Sequence, residues 1–126
     1  MRVVDTSVWI EWIIDSSAGG SAGIYFPPPD EWIVPTMVQL ELLKWTTRAL
    51  GQERAGQILG LTQGLIVVPL TTIIAARAAE LCLSHRLATA DATIYATALE
   101  MGADLLTCDT HFKDLPDVIY IDKRTA

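Results

Sequence analysis

The stretch Arg2-Val3-Val4-Asp5-Thr6-Ser7-Val8-Trp9-Ile10 decides the fold. Val3 and Val4 form a β-branched run that closes on an acid, and Thr6 or Ser7 then offers an N-cap to a segment with Val8, Trp9, Trp12 and Ile13 on one side. Strand, acid and helix follow one another without a loop. The same strand-to-helix succession returns downstream. Trp32 to Val34 is a second apolar run, and Thr36 with Gln39 three positions later has the form of a capping box opening a helix to about Ala49. A helix over Gln52 to Leu61 ends at Gly64, and Leu65 to Pro69 supplies a third strand. Thr71 or Thr72 caps an alanine-rich helix to about His85, and Thr89 begins another that Gly102 stops. Asp104 to Cys108 and Val118 to Ile121 are the fourth and fifth strands.

Strands that read as continuous apolar runs and alternate with helices predict a parallel sheet covered on both faces. The 126 residues suit one compact domain, 1–126. Between Ser16 and Glu31 the composition turns to Ser, Ala and Gly and then Pro27-Pro28-Pro29, which predicts a loop or stiff connection without helix.

Composition narrows the function classes. A hydrophobic fraction of 51% against 19% charged residues excludes a disordered chain. The net charge of −6 excludes a broad basic surface, so a polyanionic partner requires local cations or metal ions. Cys82 and Cys108 fit reduced thiols, with neither a disulfide framework nor a structural zinc site. Met1 to Ile14 lacks the pattern of a signal peptide, and Gly56, Gly60, Gly64 and Pro69 break the uncharged stretch between Arg54 and Arg77, so no membrane segment is expected. Cytoplasmic residence follows as the expectation.

In open parallel α/β sheets, ligands bind outside the carboxyl ends of the strands. Asp5 follows the first strand, Asp109 follows Leu105-Leu106-Thr107-Cys108, and Asp91 lies in the first turn of the helix before that strand. Glu41 borders an apolar helical stripe of Met37, Val38, Leu42 and Trp45. Each acid has an ordinary alternative: Asp5 as a helix cap, Asp91 on a helix dipole, Asp109 in a turn, and Glu41 paired with Lys44 or Arg48. Convergence is what distinguishes them. Two carboxylates about 5 Å apart repel by roughly 3 kcal/mol at an effective dielectric near 20, so a cluster wants a divalent cation. Oxygen donors suit Mg²⁺ or Mn²⁺, and metal-assisted phosphodiester hydrolysis is the matching reaction class.

The segments Val4-Asp5-Thr6-Ser7-Val8-Trp9-Ile10, the helical Glu41, Asp91-Ala92-Thr93-Ile94-Tyr95-Ala96-Thr97-Ala98 and Leu106-Thr107-Cys108-Asp109-Thr110-His111-Phe112 together resemble the PIN-domain ribonucleases. Among these the chain looks most like the VapC-type toxins of type II toxin–antitoxin pairs. The resemblance implies a three-layer α/β/α domain with a central five-stranded parallel sheet of order 3-2-1-4-5. It also implies an Mg²⁺- or Mn²⁺-dependent endoribonuclease whose catalytic, metal-holding acids are Asp5, Glu41, Asp91 and Asp109, supported by Thr6, Ser7 and Thr107. The products expected are 5′-phosphate and 3′-hydroxyl ends, with no side-chain nucleophile.

The same resemblance implies a cognate antitoxin whose tail lies in a groove beside the first two helices, and a homodimer. Of the basic residues, Arg2, Lys44, Arg48, Arg86 and Lys113 fall near the predicted active edge in sequence, so phosphate contacts are few. A structured RNA such as a transfer RNA, read by shape, fits that scarcity. His85 and His111 read as surface or turn residues. Trp9, Trp12, Trp32 and Trp45 read as core or interface residues ahead of base-stacking ones. Three rival readings stand beside this one. A phosphoacceptor enzyme needs an Asp-x-Asp pair or strand-end lysine that is not evident, a silent interaction module has no reason to keep four repelling acids, and a stand-alone RNA-processing nuclease differs only in lacking an antitoxin.

Overall fold

The computed structural model describes residues 1–125 and contains five strands: β1 (Arg2–Val4), β2 (Trp32–Pro35), β3 (Ile66–Val68), β4 (Asp104–Thr107) and β5 (Val118–Tyr120). They form one parallel sheet in the order β3-β2-β1-β4-β5. Six helices surround it: α1 (Thr6–Ile13), α2 (Ser17–Ala22), α3 (Thr36–Leu50), α4 (Gln52–Gln63), α5 (Thr72–His85) and α6 (Thr89–Glu100). Successive residues on a strand face opposite sides of the sheet. Val3 and Val4, Ile33 and Val34, and Leu105 and Leu106 are each at most 1% exposed, so both faces of the three central strands are covered. This is the three-layer α/β/α arrangement with the expected strand order.

The helix α6 is the most deeply set, with every residue from Ala92 to Ala98 buried and contacts to α3, α5 and three strands. Its Tyr95 meets fully buried Phe112 edge-on at 6.1 Å, and the Tyr95 hydroxyl donates to the Pro116 carbonyl at 2.6 Å. Trp9, Trp32 and Phe26 stack in a tilted row with ring centroids 5.1 and 5.2 Å apart, and Trp12 caps the row edge-on. Three of the four tryptophans thus belong to one aromatic cluster beside α1, and Trp45 lies half-buried on α3.

Two local expectations are corrected. The capping box at Thr36 does not form, because β2 runs directly into α3 and Pro35 takes the N-cap position with no side-chain bond to give. Thr36 is the first helical residue; its hydroxyl accepts the Leu70 N–H at 3.2 Å, while Gln39 donates to Thr62 at 3.2 Å. The segment from Ser16 to Glu31 is not free of helix. Ser16 caps α2 by accepting the Gly19 N–H at 3.0 Å, and single 3₁₀ turns at Gly23–Tyr25 and Pro29–Glu31 complete the connection. The expected caps at Thr71, which accepts from Ile74 N–H, and the stop at Gly102, with φ of 63°, are both present.

Gly19 explains why glycine-rich sequence makes a helix here. A Cβ at Gly19 would stand 2.5 Å from the Glu11 carbonyl oxygen, so only glycine lets α2 lie against the backbone of α1. Gly20, beside it, has open space. Gly19→Ala is therefore expected to lower stability in urea unfolding by about 1–3 kcal/mol through overpacking. Gly20→Ala is expected to raise it by roughly 0.5–1 kcal/mol through lost chain entropy.

Candidate active site

The sheet places Asp5 at the carboxyl end of its middle strand. The backbone N–H of Asp5 donates to Leu106 O at 2.9 Å, extending the ladder one residue, and its carbonyl accepts the N–H groups of Val8 and Trp9 to start α1. Asp5 occupies the N-cap position, yet its carboxylate makes no capping bond. Instead Oδ2 accepts two hydroxyls, from Ser7 at 2.6 Å and Thr107 at 2.8 Å. Thr107 in turn accepts the Asp109 N–H at 3.0 Å, and Ser7 accepts the Cys108 N–H at 3.1 Å. The end of β4 and the start of α1 are thereby tied through one carboxylate. Oδ1 of Asp5 has no protein donor among the described residues.

The other acids arrive from three directions. Asp91 sits in the first turn of α6, and Asp109 caps the 3₁₀ turn Thr110–Phe112 by accepting the His111 N–H at 2.9 Å. Their carboxylates and the His111 ring offer atoms within 4.8 Å of one another. Glu41, on α3, accepts the Thr6 hydroxyl at 2.7 Å, not a bond from Lys44 or Arg48. Asp5 and Glu41 lie outside the tight group of Asp91, Asp109 and His111, but act on it through their charge.

Electrostatics mark the edge. Burial raises the Asp5 pKa to about 6, the two hydroxyl bonds pull against that rise, and the charges of Asp91 and Glu41 add to it. Asp91 is also raised, by burial and then by Asp109, with His111 opposing. Among the described residues no lysine or arginine pairs with any of the four acids. Arg2, expected near this edge, is at the other end of β1, where it makes a two-pronged bond to Asp104 at 2.7 and 3.0 Å and donates to the Tyr25 carbonyl. A strand of three residues spans about 10 Å, enough to keep its charge away.

Of the seven residues singled out in the sequence, Asp5, Ser7 and Thr107 form one hydrogen-bonded group that Asp109 joins through its backbone, and Thr6 and Glu41 form a separate pair. Asp91 joins through space. Sequence reading placed His111 in an exposed turn, which it occupies, but did not connect its ring to the acids. The Asp109-x-His111 spacing after a strand was the available signal, since a turn brings residues two apart onto one side.

The family model for the PIN domain matches residues 2–118. A chain of a toxin–antitoxin complex from Klebsiella pneumoniae is similar at a TM-score of 0.80 and 21% identity, over 94% of this chain and 96% of that one. VapC20 of Mycobacterium tuberculosis, a Sarcin-Ricin loop cleaving toxin, is similar at 0.75 and 22%, over 94% and 97%. FitAcB from Neisseria gonorrhoeae is similar at 0.74 and 18%, over the whole of both chains. At these identities the likeness is one of fold. No curated protein matches the chain by sequence.

The raised pKa of Asp5 has a definite sign in stability. The folded chain holds that proton more tightly than the unfolded one, so the contribution to stability is fully present below the ordinary value of 3.8 and is lost as pH rises through about 6. The cost on the alkaline side is about 3 kcal/mol. Asp5→Asn, which keeps the side-chain shape, is expected to melt at or above the wild type at pH 7.5 in chelator, with the difference closing near pH 4. Thermal unfolding at the two pH values measures it; a variant that melts lower at both would make Asp5 a structural residue.

Proposed function

This chain belongs to the PIN-domain family, and from that premise we propose that it is an Mg²⁺- or Mn²⁺-dependent endoribonuclease acting as the toxin of a toxin–antitoxin pair. One observation carries the reading: acids that follow β1 and β4 or lie on α3 and α6 gather at the carboxyl edge of the sheet with hydroxyl donors, and among the described residues no lysine or arginine pairs with them. Hard oxygen donors at such a density fit a divalent cation. Asp5, Asp91 and Asp109 would hold it, with Glu41 beside them. Bound there, the ion supplies Lewis-acid stabilisation of charge on a phosphodiester and makes water a stronger nucleophile.

The protein's own groups prepare that edge. Ser7 and Thr107 hold Asp5 Oδ2, which fixes the carboxylate plane and leaves Oδ1 free to bind. Thr6 holds Glu41 in one orientation. Thr107 is 0% exposed and the Ser7 hydroxyl is engaged with both Asp5 and the Cys108 N–H, so water would be the attacking group. With the 3′ oxygen as the leaving group, taking a proton from solvent, attack by water at phosphorus would give 5′-phosphate and 3′-hydroxyl ends. The Sarcin-Ricin loop cleaving activity of one structural neighbour supports a nuclease acting on a structured RNA.

Toxin–antitoxin assemblies among the neighbours support a protein partner. The surface for it is the aromatic cluster: a 260 Å³ pocket bounded by Trp9, Trp12, Phe26, Trp32 and Leu61, with Trp12 43% exposed. An apolar side chain from an antitoxin tail fits there. A homodimer and residence in the cytoplasm complete the reading; among the described residues no helix is long and apolar enough to cross a membrane.

RNA incubated with the protein is expected to be cut in Mg²⁺ or Mn²⁺ and left intact in excess EDTA. Asp91→Asn and Asp109→Asn are each expected to lose about 100-fold or more in cleavage rate while remaining folded. Mapping of cut ends gives the polarity, and cutting that persists in chelator overturns the metal-dependent reading. Trp12→Ala is expected to weaken antitoxin binding by about 2 kcal/mol in titration calorimetry without altering cleavage by the free protein.

A further inference from the structure

His111 stands where the proposed chemistry requires no imidazole. Its Nδ1 lies 3.3 Å from Asp91 Oδ2 and 3.3 Å from Asp109 Oδ1. The side chain is 69% exposed, so burial does not drive it there. The turn does. Asp109 fixes the His111 backbone, and the next residue, Phe112, is locked against Tyr95, one turn beyond Asp91 on α6. The aromatic contact therefore holds the helix bearing Asp91 against the turn bearing Asp109 and His111.

Hydrogen bonding alone satisfies this arrangement poorly. Nδ1 carries one hydrogen at most, and 3.3 Å lies beyond the usual N–H···O range of about 2.7–3.2 Å. The tautomer without that hydrogen points a lone pair at two carboxylates. A cation between the three groups removes both difficulties. Adjacent ligands of an octahedral ion with bonds near 2.1 Å are about 3.0 Å apart, so the two His111–carboxylate spacings need contract by only a few tenths of an ångström, and the Asp91 and Asp109 oxygens lie within 4.8 Å of each other. A second observation also points to an ion at this edge: Asp5, 3% exposed and in the field of Asp91, has both its hydroxyl donors on Oδ2 and none on Oδ1.

We propose that His111, with Asp91 and Asp109, forms a mixed nitrogen–oxygen metal site that favours Mn²⁺ over Mg²⁺. The inference deepens the cation reading given above and rests on it. An imidazole nitrogen is a better donor to the first-row transition ions than to Mg²⁺, which keeps oxygen ligands and water. His111 is thus a selectivity residue, and the acids alone would accept either ion.

The test uses Mn²⁺ alone, added to protein stripped of metal, with the bound ion read by electron spin echo envelope modulation for nitrogen-14. The wild type is expected to show a directly bonded imidazole nitrogen. That signal should vanish in His111→Gln and remain in His85→Gln, the chain having two histidines. Even an outer partner of a metal ligand is worth about 10- to 100-fold in affinity. His111→Gln is therefore expected to weaken Mn²⁺ about tenfold or more by calorimetry, and Mg²⁺ by less than about twofold. Bound Mn²⁺ without nitrogen coupling, or coupling that survives His111→Gln, overturns the assignment of His111 and leaves the oxygen-donor site standing. No uptake of Mn²⁺ by the wild type, or unchanged affinity in Asp91→Asn and Asp109→Asn, overturns the cation reading and this inference with it.

Discussion

A carboxylate almost wholly removed from water, at the end of the central strand, is the constraint around which the molecule is arranged. Desolvation and two neighbouring acids oppose its ionisation, and among the described residues the direct support comes from the Ser7 and Thr107 hydroxyls on one of its oxygens. Such support requires α1 to begin immediately after β1, with Ser7 folded back over Asp5. It also requires β4 to pair with β1 in the register Val4 against Leu106, which brings Thr107 alongside. A slip of one residue would turn Thr107 to the other face and leave the acid unsupported. Register, helix start and site are one condition.

The sequence was most legible where that condition is local. Consecutive valines, isoleucines and leucines can be buried together only in a strand covered on both sides, which is why β1, β2 and β4 were readable, and acids directly after such strands had nowhere to lie but the sheet's carboxyl edge. Reading failed where an interaction was tertiary. Nothing in Thr36-x-x-Gln39 reveals that Pro35 ends one element and starts the next, or that Leu70 and Thr62 claim those side chains. The shape of Ser16-Ser17-Ala18-Gly19 depends on the backbone of α1 against which it rests. Arg2 is near Asp5 in sequence and at the far end of its strand in space, because an extended chain separates residues faster than any other element.

The acids show the same division. Asp5, Asp91 and Asp109 could be singled out from their positions after strands and at a helix start, but their ordinary alternatives could be weighed only in three dimensions. Asp109 does cap its turn; Asp5 stands at a cap position and does not cap; Glu41 turned to Thr6 and away from Lys44 and Arg48. The link from His111 to the acids was not legible because it depends on Tyr95 meeting Phe112, a contact between residues 17 positions apart.

The pairing of β1 with β4 has a bearing on how the protein comes into being. Strand partners 102 residues apart form a long-range pair, and such pairs must meet the entropy of closing the intervening loop before they are rewarded. During synthesis the amino-terminal half emerges first. A nascent chain that has not yet reached residue 107 owns Asp5, Glu41 and Asp91, but lacks Thr107, Asp109 and the strand that holds them in place. The acidic edge is therefore assembled only once Thr107 and Asp109 are available, so the first half of the described chain cannot form it by itself.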